Sequence, residues 1–164
     1  MEVFQALLIL ATFLCSLVAG FLFAYAIVVM PGIRSLNDRE FIRAFQVTDR
    51  VIQNNQPIFM LVWVGSSVVL ISSAVLGIGR LDGIEVSLIC FVTLTYLLGV
   101  QLPTITINVP LNNKLQTLDV DTMNETELKV AREGFEQRWN QWNSFRTVLS
   151  SLVSVLLIIL LFRF

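Results

Sequence analysis

The chain has 164 residues, of which 55 % are hydrophobic and only 14 % are charged, and its formal net charge is −1. An average soluble domain has about 25 % charged residues, so this composition excludes an ordinary soluble protein. A nearly neutral chain also lacks the basic face that nucleic acid requires, and we expect no nucleic-acid partner. The chain contains no histidine, which excludes a histidine-ligated metal and a histidine base. We expect neither a cofactor nor a metal site.

Four uncharged apolar runs fill most of the chain. They are Val3–Met30, Pro57–Gly79, Val86–Ile107 and Thr147–Phe162. About 20 apolar helical residues cross the hydrocarbon of a bilayer, and unalternated runs of this length are helices. The sequence therefore predicts an all-α membrane protein, a four-transmembrane-helix bundle in the lipid bilayer, formed by a single domain of residues 1–164. Cys15 and Cys90 lie inside these runs, where we expect buried thiols and no disulfide.

The positive charges predict how the bundle is oriented. Nine of the 11 basic residues lie in two long connections, four of them in 31–56 and five in 108–146. Arg80 and Arg163 lie on the opposite side. Because positively charged connections stay in the cytoplasm, we expect both long connections to be cytoplasmic and both termini to lie outside.

Both long connections contain predicted helices. In the first connection, Pro31 and Gly32 are expected to end the first span. Residues at helical spacing then predict a short amphipathic helix: Phe41, Ala44, Phe45, Thr48 and Ile52. In the other connection, Thr122 and Glu125 have the spacing of a capping box. We expect one long helix from about residue 125 to 161, so that the fourth span has a long cytoplasmic extension.

Polar residues near the start of the fourth span share one helix face. They are Trp139, Trp142, Asn143 and Arg146, at positions i, i+3, i+4 and i+7. One interpretation is an interfacial tryptophan belt with an arginine that reaches back to the surface. The other is a functional site, because an ionisable group at membrane depth is costly to keep. Asn143 favours the second interpretation, since it has no reason to face lipid.

A second polar stripe closes the third span. It consists of Thr93, Gln101, Thr104 and Asn108, followed by Asn112. Pro110 disfavours a helical Val109, so we expect the chain to turn there and both asparagines to point inward. The simpler interpretation is that the two asparagines only cap helices. Both stripes end on the same side of the membrane. Four polar residues before the second span lie on that side too: Gln46, Asp49, Arg50 and Asn54. The three groups can therefore meet.

Three stretches of the chain resemble motifs of a known family. They are Asn108-Val109-Pro110-Leu111-Asn112-x-x-Leu115, Trp139-x-x-Trp142-Asn143-x-x-Arg146-Thr147 and Gln46…Asp49-Arg50…Asn54…Pro57-x-Phe59. Together they are similar to the anthrone oxygenase-like family of small four-span membrane proteins. The resemblance extends over nearly the whole chain.

The resemblance implies a chemistry. Some members oxidise anthrones to anthraquinones without a metal or flavin, which implies a cofactor-independent oxidoreductase with a hydrophobic aromatic substrate, polyketide-like or quinol-like. It implies that four catalytic residues hold the anionic oxygen: Asn108, Asn112, Asn143 and Arg146. It implies a set of substrate-binding residues: Gln46, Asp49, Arg50, Asn54, Gln101, Thr104, Trp139 and Trp142. Asp49 is the candidate base. Many members have a histidine where this chain has Ser144.

Two other functions stay open at this point. The same polar residues fit a non-enzymatic membrane protein that binds a lipid or quinone, or that supports a partner complex. That function predicts an Arg146 fully paired within the protein and no cavity beside it. A small exporter is a weaker interpretation, because the sequence lacks the matching repeats of transporters.

Overall fold

The computed structural model describes residues 2–163, and within this range all regular secondary structure is helical. The α-helical segments are Val3–Ala24, Met30–Arg34, Asp38–Gln53, Pro57–Ile78, Gly83–Tyr96, Val109–Gln116 and Glu125–Leu161. Three π-helical segments continue some of these helices: Tyr25–Val29, Leu97–Gln101 and Thr104–Asn108.

These segments form four continuous helices that are long and apolar enough to span a membrane. We call them the first span (Val3–Arg34), second span (Pro57–Ile78), third span (Gly83–Gln116) and fourth span (Glu125–Leu161). The predicted four-helix membrane bundle is therefore confirmed. Buried apolar side chains from all four spans form its core, with Leu8, Leu70, Tyr96 and Leu157 fully enclosed. Cys15 and Cys90 are free thiols; the first is buried and the second is half-buried.

Two predicted chain breaks are absent, because π-helical turns carry the helix past each proline. The first span continues through Pro31 and Gly32 to Arg34. Val109 was predicted to be extended, but it is helical with φ −61° and ψ −46°. A π-helical turn is wider than an α-helical one, so the ring of the following Pro110 is accommodated without ending the helix.

The predicted amphipathic helix is present as Asp38–Gln53 and packs on the bundle outside the membrane core. Its apolar face forms a second core with the end of the third span and the start of the fourth: Met30, Phe41, Ile42, Phe45, Leu115, Val120, Leu128, Phe135 and Trp139. Arg132 of the fourth span donates to the backbone oxygens of Arg34 and Leu36 at 2.8 and 2.9 Å. The two long connections therefore lie on the same side of the membrane. Their cytoplasmic location stays a prediction.

The fourth span is a helix of 37 residues, with the predicted bounds Glu125–Leu161. Its capping box is formed by Asn124 and Glu127, so the prediction of Thr122 and Glu125 was wrong by two residues. A helix this long exceeds the bilayer core, which about 20 residues cross, and its first half extends into the second core. Counted back from Leu161, the hydrocarbon boundary falls near Trp142, and Arg146 lies about one turn inside it.

Candidate functional site

A cavity of about 560 Å³ lies between all four spans and the amphipathic helix. Its volume falls in the range of about 300–1,000 Å³ that is typical of small-molecule sites. Six aromatic side chains line it: Phe21, Tyr25, Phe45, Phe59, Trp63 and Trp139. Seven amide, charged or threonine side chains line it as well: Asp49, Gln101, Thr104, Asn108, Asn112, Asn143 and Arg146. The cavity is therefore apolar and aromatic, with a small set of convergent polar groups.

The aromatic wall comes mainly from the first and second spans. The rings of Phe59 and Trp63 stack with their centroids 5.3 Å apart and an interplanar angle of 19°. Phe21 meets both of them edge-on, at 5.2 and 6.3 Å. Phe21 also contacts Tyr25 at 4.9 Å, and Tyr25 in turn lies 5.7 Å from Trp139. These contacts make a continuous aromatic surface that suits a flat, unsaturated ligand.

Arg146 provides the positive charge of the site and is only 3 % exposed. One terminal nitrogen of its guanidinium donates to the hydroxyl of Thr104 at 2.8 Å. The other donates to the side-chain oxygen of Asn143 at 3.1 Å. Asn143 is itself fixed, since its amide donates to the backbone oxygen of Leu22 at 3.1 Å. Arg146 is therefore held by two neutral groups, one on the third span and one on its own, and neither of them neutralises its charge.

Asp49 provides the negative charge and is also 3 % exposed. Its carboxylate accepts hydrogen bonds from the amides of Asn112 at 2.8 Å, Gln116 at 3.0 Å and Gln53 at 3.2 Å. Within residues 2–163, no ion pair closer than 4.0 Å involves Asp49 or Arg146. The cavity is thus lined by two buried opposite charges that do not pair with each other.

Three buried polar atoms of the described residues lack a hydrogen-bond partner, and all three belong to the cavity lining. They are Nε2 of Gln101, Oδ1 of Asn108 and Nε of Arg146. A buried polar group without a partner costs about 1–3 kcal/mol, so proteins keep few of them. Each of the three residues lines the cavity, but the unpartnered atoms themselves have almost no accessible surface, so they lie just beneath the cavity wall.

Most of the candidate site residues meet at this cavity, but four of them do not line it, and neither does Thr93 of the polar stripe. Trp142 is half-buried and contacts Phe145 instead. Arg50 and Asn54 are exposed on the amphipathic helix and at its end. Gln46 is buried, but its amide donates to the backbone oxygens of Leu115 and Leu118, at 2.8 and 2.9 Å, which ties the amphipathic helix to the end of the third span. Ser144 is exposed and outside the lining, so its identity does not change the cavity surface.

Sequence reasoning missed the aromatic wall of the site. The sequence analysis assigns no role in the site to Tyr25 or to Trp63. Both sit in uniformly apolar runs, where no polar neighbour marks one helix face as the inner face. The only available signal was the spacing of Phe59 and Trp63, which stand four residues apart and so share one face. That spacing is equally typical of ordinary packing between spans.

Within the described residues, no group of three or more acidic or thiol side chains is placed to hold a metal ion. The fold and site define a class: a small four-span membrane protein with an aromatic cavity, polar at one end. A sequence profile described as anthrone oxygenase matches residues 52–156, which is more than half of the chain. The chain therefore belongs to the anthrone oxygenase family, as the sequence motifs predicted. No curated protein and no solved structure matches the chain significantly.

Proposed function

We propose that this protein is a cofactor-independent oxygenase whose substrate is a flat, hydrophobic aromatic ketone of the anthrone type. One observation carries the proposal: an aromatic cavity at membrane depth is lined by two buried opposite charges, Asp49 and Arg146, that do not pair with each other. The family match supports the same chemistry over residues 52–156. A tricyclic ketone fits this cavity in size, in apolar surface and in its need for a few hydrogen bonds.

The proposed reaction converts a ring methylene group into a carbonyl group. Loss of one methylene proton leaves an electron-rich enolate, which reacts directly with dioxygen. One oxygen atom becomes the new carbonyl, and the other leaves as water with the two methylene hydrogens. The methylene carbon supplies all four electrons that reduce dioxygen, so the reaction needs no further reductant. The protein has to take up the first proton, stabilise the enolate oxygen and exclude bulk water.

The separated charges of the cavity suit these tasks. The Asp49 carboxylate has roughly four lone-pair positions, and three amides occupy three of them, which leaves one for a substrate proton. The free Nε of Arg146 and Nε2 of Gln101 are donors for the enolate oxygen. In an anthrone the methylene and the carbonyl lie at opposite edges of the central ring. A base and an anion-binding group that line one cavity without pairing match that arrangement.

A purely structural role of the polar residues, as in a protein that only supports a partner complex, requires an Arg146 that is saturated by the protein and a collapsed interior. The free Nε of Arg146 and the cavity of about 560 Å³ argue against it. A protein that binds a quinone without turning it over has the same cavity, so only a turnover experiment separates that function from oxidation.

The experiment is an isotope assay on the purified protein in lipid nanodiscs. An anthrone is supplied with ¹⁸O-labelled dioxygen, and the quinone product is analysed by mass spectrometry against a protein-free autoxidation control. We expect one ¹⁸O atom in each quinone and a rate above background that is lost in Asp49→Asn. Asp82→Asn is the matched control, because Asp82 is exposed and its side chain caps nothing. A wild-type rate equal to that of Asp49→Asn would overturn the proposal, and tight quinone binding alongside it would identify a binding protein.

A further inference from the structure

Some side chains that line the cavity also form the outer surface of the bundle. Val64 and Val68 of the second span line the cavity and are 51 and 56 % exposed. Ile105 of the third span lines it as well and is 65 % exposed. A side chain that touches both the cavity and the outside marks an edge of an opening. We call the gap bordered by Val64, Val68 and Ile105 the lateral opening.

The packing of the spans explains why the cavity is open at this place. The second span packs mainly against the first, and it meets the third mainly over Gly83–Tyr96. Beyond Tyr96 the third span passes through its π-helical segments, Leu97–Gln101 and Thr104–Asn108, which have at most marginal contact with the second span. Both segments contribute residues to the cavity wall. The two spans therefore part where the third span changes its helical geometry, as π-helical turns commonly do at functional sites.

The depth of the lateral opening determines what lies outside it. Val68 is at the middle of the second span, Pro57–Ile78, which is about as long as the hydrocarbon is thick. The medium outside Val68 is therefore lipid chains and not water. We propose that the substrate reaches the cavity sideways from the bilayer through the lateral opening. This inference rests on the proposed function for the identity of the ligand, a flat aromatic ketone.

This access route also restricts the charge of the ligand. An anion is costly in hydrocarbon, so a molecule that arrives through the lateral opening must enter uncharged. The opening is edged by apolar side chains, whereas Arg146 and Gln101 line the interior of the cavity. The ligand thus enters as the neutral ketone, and its negative charge forms only after the proton has moved to Asp49. The substrate class is a lipophilic, neutral carbon acid, and permanently charged analogues are excluded.

The test uses Trp139 as a reporter, because it lines the cavity and is only 4 % exposed. Trp63→Phe and Trp142→Phe together leave it as the sole tryptophan of the protein. The protein is placed in vesicles with either a small nitroxide-bearing alkane, which dissolves in the bilayer, or iodide, which stays in water. We expect the nitroxide to quench Trp139 fluorescence and iodide to have no effect.

Two matched pairs of variants then locate the route. Val68→Phe with Ile105→Phe narrows the lateral opening from both edges, and we expect loss of quenching by the nitroxide. Val75→Phe with Leu98→Phe is the control on the same two spans, since these positions are 63 and 60 % exposed but do not line the cavity. The control should be quenched like the parent. Val64→Phe alone serves as a milder narrowing if the first pair does not fold.

The ligand arm uses stable quinones in place of the substrate. A neutral anthraquinone should itself quench Trp139 and lose this effect in the narrowed pair, whereas a sulfonated anthraquinone added to the water should not quench Trp139. Equal quenching of the narrowed and control variants, or quenching of Trp139 by iodide, would overturn the lateral route. The readout is access and not turnover, so a failed oxidation assay with intact nitroxide quenching would reject only the proposed reaction.

Discussion

The indole nitrogen of Trp139 donates a hydrogen bond to the side-chain oxygen of Asn112 at 2.7 Å. This bond fixes the orientation of the amide, because the oxygen of Asn112 is then turned toward Trp139 and its nitrogen toward Asp49. The side chain of Asn112 thereby connects the ring of Trp139 to the carboxylate of Asp49 through two hydrogen bonds. The backbone oxygen of Trp139 also accepts a hydrogen bond from the side-chain amide of Asn108, at 3.4 Å. The third and fourth spans are joined at the polar end of the cavity by these bonds.

Asn112→Asp should disrupt the relay, that is, the two hydrogen bonds that connect Trp139 through Asn112 to Asp49. The new carboxylate still accepts from Trp139, but it replaces the donor to Asp49 with a like charge. Loss of a hydrogen bond to a charged group costs about 1.5–3 kcal/mol, and repulsion adds to that cost. We expect a lower free energy of unfolding and weaker quinone binding, measured by thermal denaturation and by fluorescence titration in detergent. The matched control is Asn113→Asp, because Asn113 is exposed and uses its side-chain oxygen to accept from Gln53. Wild-type stability and affinity in Asn112→Asp would show that the relay has no energetic role.

Arg146→Lys should separate the charge of this residue from its shape. A lysine keeps the positive charge but cannot donate to Thr104, to Asn143 and to a ligand in the fixed fork of a guanidinium. We expect the rate of anthrone oxidation to fall roughly 100-fold or more, as for removal of one oxyanion donor, with the folded yield less affected than in Arg146→Ala. Arg138→Ala is the control, since Arg138 is exposed on the same helix. Equal rates for Arg146→Lys and Arg138→Ala would remove Arg146 from the proposed mechanism.

Gly99 should be essential for close packing between the third and fourth spans. A Cβ atom at Gly99 would overlap the end of the Leu149 side chain. We expect Gly99→Ala to destabilise the bundle by about 1 kcal/mol, the low end of the usual cost of overpacking, because the overlapping atom is the end of a leucine side chain that can change its rotamer. Leu149→Ala should restore part of this loss in the double variant, measured by thermal denaturation in detergent. The matched control is Gly20→Ala, because no atom lies within 4 Å of a Cβ there. If Gly99→Ala were as stable as Gly20→Ala, the contact would not limit the approach of the spans.

Arg132 should hold the amphipathic helix on the bundle. Its guanidinium forms ion pairs with Asp38 at 3.0 Å and Glu136 at 2.8 Å. Its Cζ atom lies 4.3 Å from the ring centroid of Phe41. We expect Arg132→Ala to cost roughly 2–3 kcal/mol, as for the loss of charge-assisted hydrogen bonds, and to speed amide hydrogen exchange in Asp38–Gln53. Lys129→Ala is the control, because Lys129 makes only an exposed pair with Glu133 at 4.0 Å. Unchanged exchange in Arg132→Ala would mean that the apolar face alone docks this helix.

The sequence was sufficient for the spans and for the polar half of the cavity. Long apolar runs predict membrane helices because lipid leaves the backbone no other partners. Polar residues inside such runs or directly beside them are rare, so Gln101, Asn143 and Arg146 stood out and were expected to meet. The structure brings them to one cavity together with Asp49 and Asn112.

The remaining features depend on geometry that local patterns do not encode. Proline rules predicted a turn at Val109, whereas the π-helical turns before it allow a continuous helix. Arg50 and Asn54 share a polar segment with Asp49, and only the packing of the amphipathic helix decides which side chain faces inward. Trp63 stands among apolar neighbours, so its place in the cavity wall becomes visible only when the first and second spans are in contact.

The measurement that tests the central claim most directly is an experimental structure of the protein in nanodiscs with a bound anthraquinone. We expect the flat ligand between the Phe59–Trp63 pair and the fourth span, with a carbonyl oxygen within hydrogen-bond distance of Nε of Arg146. The opposite edge of the central ring should then face Asp49. A ligand bound elsewhere, or a cavity in which Arg146 stays bonded only to Thr104 and Asn143 while lipid chains fill the space, would contradict this account.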